Sequence, residues 1–266
     1  MKVLDEIVAN RRKLIDMEKR KDIIRDLRDF IGELGIDIEK NRKLKLSKAI
    51  KKAKEIKNPI ITEIKPSSPS KGNIREITLE DIKDIAKEMV EGGAIALSIL
   101  TEPKYFNGSY KNLIVAREVD IPILMKDFIV DFYQIDIANE IGANAILLIV
   151  SALKEDLGEF LDYAKENDLE CLVEVHSEDE VDIALDAGAK IIGINNRDLK
   201  TLKIDLSTTE KISPLIPKNK IKIGESGIYT KEQLNYILKF ADAALIGSSI
   251  MESENIKEKV MELVRK

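Results

Sequence analysis

Ile60-Ile61-Thr62-Glu63-Ile64-Lys65-Pro66-Ser67-Ser68-Pro69-Ser70-Lys71-Gly72 seats two opposite charges in an apolar run and then breaks off into a loop. Side chains alternate faces along a strand, so Glu63 and Lys65 share one face while Ile64 points to the other. Burying that pair is costly unless the two ions satisfy each other or a ligand. The segment alone admits two readings, a structural ion pair at a strand end or part of a site.

The pattern recurs along the chain. Short apolar runs also end in polar clusters at Pro122-Ile-Leu-Met-Lys126-Asp-Phe128, Cys171-Leu-Val-Glu174-Val-His176, Ile191-Ile-Gly-Ile-Asn195-Asn196-Arg197-Asp198 and Lys222-Ile-Gly224-Glu225-Ser226-Gly227, and Ala243-Ala-Leu-Ile-Gly247-Ser248-Ser249 ends in small residues. Eight such runs lie near 60–65, 95–100, 122–127, 145–150, 171–176, 191–195, 221–225 and 243–247, each followed by helical periodicity. Glycines at 92–93, 142 and 188 suit helix ends, and Thr78 with Asp81 and Ser177 with Glu180 suit helix starts. Eight strand–helix units predict a closed parallel (β/α)8 TIM barrel, with an open doubly wound sheet as the alternative. In either fold the chemistry gathers at strand C-termini, where these polar clusters fall.

Residues 1–57 lie outside the repeat and read as an N-terminal helical extension of two or three amphipathic helices, leaving 58–266 for the barrel. Val3, Leu4, Ile7 and Val8 form one face, continued by Leu14, Ile15 and Met17. Such an extension either packs on the barrel or covers one of its ends.

Composition restricts the function. At 266 residues and 44% hydrophobic, the chain is long enough for one large core. A net charge of -5 with interleaved acids leaves no basic stripe for nucleic acid. The N-terminus is charged from Lys2 and no apolar run reaches membrane-spanning length, so neither signal peptide nor anchor is expected, and the expected location is the cytoplasm. One cysteine, Cys171, reads as a core residue, and one histidine, His176, is too few for a His-Cys metal cluster. No metal and no organic cofactor is expected.

Glu63-Ile-Lys-Pro-Ser-Ser-Pro-Ser70, Leu100-Thr-Glu-Pro-Lys-Tyr-Phe-Asn-Gly-Ser109, Leu124-Met-Lys-Asp-Phe128, Leu172-Val-Glu-Val-His176, Gly193-Ile-Asn-Asn-Arg-Asp-Leu199 and Gly224-Glu-Ser-Gly-Ile228 together resemble indole-3-glycerol phosphate synthase, from about Asn58 to the C-terminus. The resemblance implies decarboxylative ring closure and dehydration of 1-(2-carboxyphenylamino)-1-deoxyribulose 5-phosphate in tryptophan biosynthesis, a carboxy-lyase reaction on a small phosphorylated substrate. Many members of that family carry a fused second barrel. Here the single barrel is expected to act alone, as a monomer.

That reaction needs an acid for the ketone oxygen, anchors for phosphate and carboxylate, and a second acid–base pair for dehydration. Lys126 shares the parity of Leu124 and is expected inside the barrel mouth as the general acid, its pKa lowered by burial and neighbouring cations; the alternative is a surface pair with Asp127. Glu174, with the parity of Leu172, is the expected partner in dehydration, and Glu63 and Glu225 balance the lysines. Lys65 either holds the carboxylate or donates a proton itself, and the sequence leaves its role open against Lys126. Asn195 and Arg197 suit hydroxyl and carboxylate recognition, although Arg197 paired with Asp198 would merely cap a loop. Ser226 joins the substrate contacts. Gly227, Gly247 and Ser248 are the expected phosphate site, with Ser68 reaching in from the first loop. With tryptophan absent, Phe106, Phe128 and Leu148 are expected to pack the aromatic ring. Two other readings use the same residues: a Schiff-base aldolase through Lys126 or Lys65, and a non-catalytic barrel that only binds a phosphorylated ligand.

Overall fold

The computed structural model describes residues 3–199 and 201–266. Eight strands, β1 Ile60–Ile64, β2 Ala96–Leu100, β3 Ile123–Lys126, β4 Ala145–Ile149, β5 Glu170–Val175, β6 Ile191–Asn195, β7 Ile221–Glu225 and β8 Ala243–Ile246, pair in parallel with their neighbours. The first also pairs with the last, Ile60 opposite Ala244, which closes the barrel and excludes the open sheet. Both faces of every strand are covered, and this explains the nearly continuous apolar runs such as Ala-Ile-Leu-Leu-Ile in β4.

Three helices precede the barrel: α1 Val3–Arg20, α2 Ile23–Leu34 and α3 Leu46–Ile56. Eight longer helices alternate with the strands: α4 Leu79–Glu91, α5 Tyr110–Ala116, α6 Phe132–Glu140, α7 Leu157–Glu166, α8 Glu178–Asp186, α9 Ser207–Ile212, α10 Lys231–Ile237 and α11 Ile256–Val264, with single helical turns Val150–Leu153 and Ser248–Met251 after β4 and β8. Thr78 and Asp81 form a reciprocal capping box on α4, and the Ser177 hydroxyl accepts from the Glu180 backbone N–H at the start of α8.

The apolar side chains divide into two sets. One lies between strands and outer helices and includes Leu148, Ile192 and Val173. The other fills the barrel interior, with Ile61, Leu124, Leu147, Leu172, Ile223 and Leu245. Leu46, Ile50 and Ala53 of α3 join this inner set, so α3 plugs the end where the strands begin. Leu148 therefore faces the helices, away from the barrel mouth, and the expectation that it packs against substrate is corrected. Its neighbours Leu147 and Ile149 occupy the inward positions.

At the opposite end α1 crosses the strand C-termini and docks through a buried ion. Arg11, 1% exposed, donates from Nε and Nη2 to the two carboxylate oxygens of Asp127 at 2.8 Å each. Asp127 also accepts from Thr101 Oγ1 at 2.7 Å and from the Phe128 backbone N–H at 2.8 Å, while Arg11 reaches the Tyr110 hydroxyl. Asp127 is thus committed to Arg11, and the alternative in which it pairs Lys126 at the surface is set aside. Ile7, Arg11 and Ile15 form the buried row of α1 at four-residue spacing. Met17 falls off that row and is 52% exposed, which corrects its place on the apolar face.

Removing one partner of a fully buried pair strands the other charge, at a cost of about 3–5 kcal/mol. Arg11→Ala is expected to lower unfolding free energy by roughly that amount in urea titrations, and Arg11→Ala with Asp127→Ala by much less than the sum of the two single substitutions. Additive losses would show that the two side chains are not energetically coupled.

Candidate active site

Parity sends one side chain from the C-terminal end of most strands into a common mouth. Glu63 of β1, Lys126 of β3, Glu174 of β5, Asn195 of β6 and Glu225 of β7 all line one cleft, with Lys65 just beyond β1. The cleft holds about 1120 Å³ of space between atoms, its open mouth included.

Lys126 sits at the centre of three carboxylates. Its Nζ donates to Glu225 Oε2 and stands 3.7 Å from Glu174 Oε2 and 3.9 Å from Glu63 Oε2. Lys65 Nζ is 2.9 Å from Glu63 Oε1, and Ser98 Oγ is 3.3 Å from Glu63 Oε2. Burial alone pulls the Lys126 ammonium toward neutrality, yet Glu225, Glu174 and Glu63 together outweigh it and raise its pKa. The expected lowering by neighbouring cations is therefore corrected: the ring around Lys126 is anionic, and it holds the proton.

The carboxylates differ. Burial pushes Glu174 up, but His176 and then Lys126 bring it down to about 2. Glu63 is likewise lowered, since Lys65 and Lys126 override its burial. Glu225 moves the other way, raised by burial to about 7 despite Lys126, with Glu174 and Glu63 adding repulsion. It is the member of the ring that gives up its proton least readily. Its Oε1 is buried without a protein partner and lies over Gly193, where an added Cβ would come within 2.0 Å of it.

The remaining expected residues are found around this ring. Phe106 and Phe128 form an aromatic wall, their ring centroids 5.9 Å apart. Ser68, Ser226, Gly227, Gly247 and Ser248 line the rim. Ser226 and Gly227 both adopt left-handed backbone, φ 68° and 83°, in the tight turn after β7. Arg197 lines the same cleft and donates from Nη1 to the Leu202 carbonyl at 2.9 Å, which ties down its own loop. Leu148 alone among the expected residues is absent from the cleft.

Several contributors escape a strand-by-strand reading. Val3, Leu4 and Ile7 of α1 also line the cleft, on the side supplied by the N-terminal extension. Asn196 cross-links the last loops, donating to the Ser226 carbonyl at 3.1 Å and accepting from Thr209 Oγ1 at 2.8 Å. His176 stands 3.1 Å from Glu174 Oε1 and 3.2 Å from Glu180 Oε2. No aligned hydrogen bond is made at Nε2, so its contact with Glu174 is an ion pair. Burial opposes protonation of this ring, but Glu174 and Glu180 prevail and push its pKa up to about 10. Its position two residues after Glu174 was the available signal, for it shares the parity. Cys171 is a poor nucleophile, its thiol pushed up to about 12 by burial. Among the described residues no group of three His, Cys, Asp or Glu side chains has metal-binding geometry.

The raised His176 pKa favours the native state below its unfolded value of 6.5, and that contribution disappears as pH climbs toward 10. His176→Asn is expected to be less stable than the parent at pH 6, with the gap narrowing steadily up to pH 10 in thermal melts. A gap independent of pH would mean that the imidazolium contributes nothing through charge.

Known proteins resemble this chain. The family model for indole-3-glycerol phosphate synthase matches residues 4–263. An indole-3-glycerol phosphate synthase of Methanocaldococcus jannaschii is 86% identical over 266 residues, covering all of both chains. One from Pyrococcus furiosus is 46% identical over 223 residues, 82% of this chain and 96% of that relative. A solved structure titled "Native KDPGal structure" overlays with a TM-score of 0.59 at 15% identity, covering 77% of this chain and 92% of that one, and it supports the barrel fold alone. With a family match over nearly its whole length and a full-length relative at such identity, this chain belongs to the indole-3-glycerol phosphate synthase family.

Proposed function

We propose that this cleft converts 1-(2-carboxyphenylamino)-1-deoxyribulose 5-phosphate to indole-3-glycerol phosphate, CO2 and water, with Lys126 as the acid of ring closure and Glu174 as the base of dehydration. The observation that carries the assignment is the anionic ring: three carboxylates keep Lys126 protonated in a buried mouth, beside an aromatic wall fit for the anthranilate ring. An ammonium so held donates to the ketone oxygen as the aromatic carbon attacks. Glu174, 3.7 Å from the same Nζ, then takes the proton from the carbon that becomes the indole double bond. Lys65 and Glu63 act as a pair, with Lys65 holding the substrate carboxylate until it leaves as CO2. The orphan Glu225 Oε1 receives a substrate hydroxyl, and Asn195, Arg197 and Ser226 complete the polar contacts. The same carboxylates weigh against a Schiff-base aldolase, because a lysine kept protonated is no nucleophile.

In this reading the phosphate lies at Gly227, Gly247 and Ser248, with Ser68 opposite, where the last two strands end. Residues 58–266 form the catalytic barrel and 1–57 its cap. The chain works as a cytoplasmic monomer without metal or organic cofactor. In support, one chain supplies an entire cleft, and no described helix is long and apolar enough to cross a membrane.

Indole fluorescence on adding the substrate tests the activity, and substitutions test the roles. Lys126→Met is expected to lower kcat by roughly 10² to 10⁴ with little change in substrate affinity. Glu174→Gln is expected to release CO2 and accumulate a ring-closed, still hydroxylated intermediate. A near-normal kcat in Lys126→Met with Lys65→Met inactive would transfer the acid role to Lys65. Ser248→Asp sets a carboxylate against the phosphate and is expected to raise KM by an order of magnitude or more; an unchanged KM would locate the phosphate elsewhere.

A further inference from the structure

A second cavity, with about 1020 Å³ of space between atoms, its open side included, lies behind Glu174, between the loops that follow β5 and β6. It is polar, lined by Ser151, Glu180, Asp198, Lys203 and Asp205, and it touches the substrate cleft at Asn195, Arg197 and Leu199. Glu174 lines the cleft and not this cavity, whereas His176 lines the cavity and not the cleft. The imidazole therefore stands in the wall between them, beside those shared residues, with Nε2 3.1 Å from Glu174 Oε1 and Nδ1 3.2 Å from Glu180 Oε2.

The proton balance of the proposed reaction gives that wall a purpose. The ketone oxygen leaves as water and so gains two protons. One comes from the carbon that becomes part of the indole double bond, and Glu174 can return it to Lys126 across 3.7 Å. The other must come from solvent, since a substrate carboxylate is lost as neutral CO2. A substrate that fills the mouth under α1 blocks the direct route to Lys126.

We propose that His176 supplies this second proton, linking Glu174 to the water of the side cavity. The inference rests on Glu174 serving as the dehydration base. A rotation of the imidazolium that aligns Nε2–H with Glu174 Oε1, already 3.1 Å away, passes that proton across, and the resulting carboxyl group reprotonates the Lys126 amine. The neutral ring left behind turns its bare nitrogen to the cavity and regains a proton from water there. Glu180 on α8 stabilises the cation from the far side, and Arg197, Asp198, Lys203 and Asp205 are the other charged groups around that water. The spacing Glu174-Val175-His176 on one strand face is what brings relay and base into register.

His176→Ala and the milder His176→Gln test the relay by single-turnover CO2 release and by steady-state turnover in H2O and D2O. First-turnover CO2 release should stay within about 3-fold of the parent, because Lys126 enters that turnover already protonated, while kcat falls ~10-fold or more and its solvent isotope effect rises. Added imidazole should restore the kcat of His176→Ala in proportion to imidazolium concentration. An unchanged kcat and isotope effect would overturn the relay by showing that protons enter through the mouth. Equal losses in both assays, untouched by imidazole, would overturn it in favour of a purely positioning role. If His176→Ala fails to fold, His176→Gln decides through the isotope effect alone. Glu174→Gln run in parallel separates the two assumptions: normal indole formation there removes the base assignment and the relay together, whereas a dehydration block with a normal His176→Gln removes the relay only.

Discussion

Lys126 is surrounded by more negative charge than it can neutralise, and much of the site follows from that imbalance. Three carboxylates, Glu63, Glu174 and Glu225, share the buried end of the barrel with two ammonium groups, Lys65 and Lys126. In a medium that penalises net charge, one anion must acquire a proton or another cation must enter. The second happens, with His176 entering as a third cation against Glu174, and the first is felt as the rise of Glu225 to about 7. Glu174 is left strongly ionised, and Lys126 keeps its proton until a substrate oxygen takes it. An acid that must be protonated and a base that must not be are thus held within 3.7 Å of each other.

The N-terminal helices hold this machinery by its two ends. At the strand N-termini α3 inserts Leu46 and Ile50 into the inner core. At the strand C-termini α1 places Arg11 on Asp127, whose oxygens are then filled by Arg11, Thr101 and the Phe128 N–H. Asp127 stands between Lys126 and Phe128, so one buried ion pair fixes the backbone that carries both the central lysine and one aromatic wall. The same helix supplies Val3, Leu4 and Ile7 to the mouth. Anchoring and covering are therefore one act, and a loosened Arg11 disturbs catalysis through geometry as well as stability.

The barrel and most of the ring were legible because polar residues mark parity. Glu63 in Ile-Ile-Thr-Glu-Ile and Lys126 in Ile-Leu-Met-Lys each identify the inward face unambiguously. Ala-Ile-Leu-Leu-Ile in β4 has no such marker, and there the sequence points to Leu148 as readily as to Leu147 and Ile149, which face the mouth. Arg11 was legible in principle from its place in the row Ile7, Arg11, Ile15, but a charged residue on an apolar stripe gains meaning only with a partner 116 positions away. The Lys126 pKa failed for the same reason. Its sign depends on which charges converge from other strands, and alternation within one strand says nothing of that.

Side-chain charge alone does not make the ring; missing side chains do as much. Glu225 leans from β7 across the space that a Cβ at Gly193 of β6 would fill, and Glu63 leans from β1 over Gly247, where a Cβ would meet its Oε1 at 2.7 Å. Each carboxylate is thus paired with a glycine on the adjacent strand or just past its end, in a barrel whose interior otherwise packs with Ile and Leu. Without those two gaps Glu225 and Glu63 would be displaced from these positions, their attraction for Lys126 would weaken, and Glu174 would be left as the main group holding its proton against burial. The protonation state of the central lysine is therefore set by backbone proximity on two neighbouring strands as much as by the acids themselves.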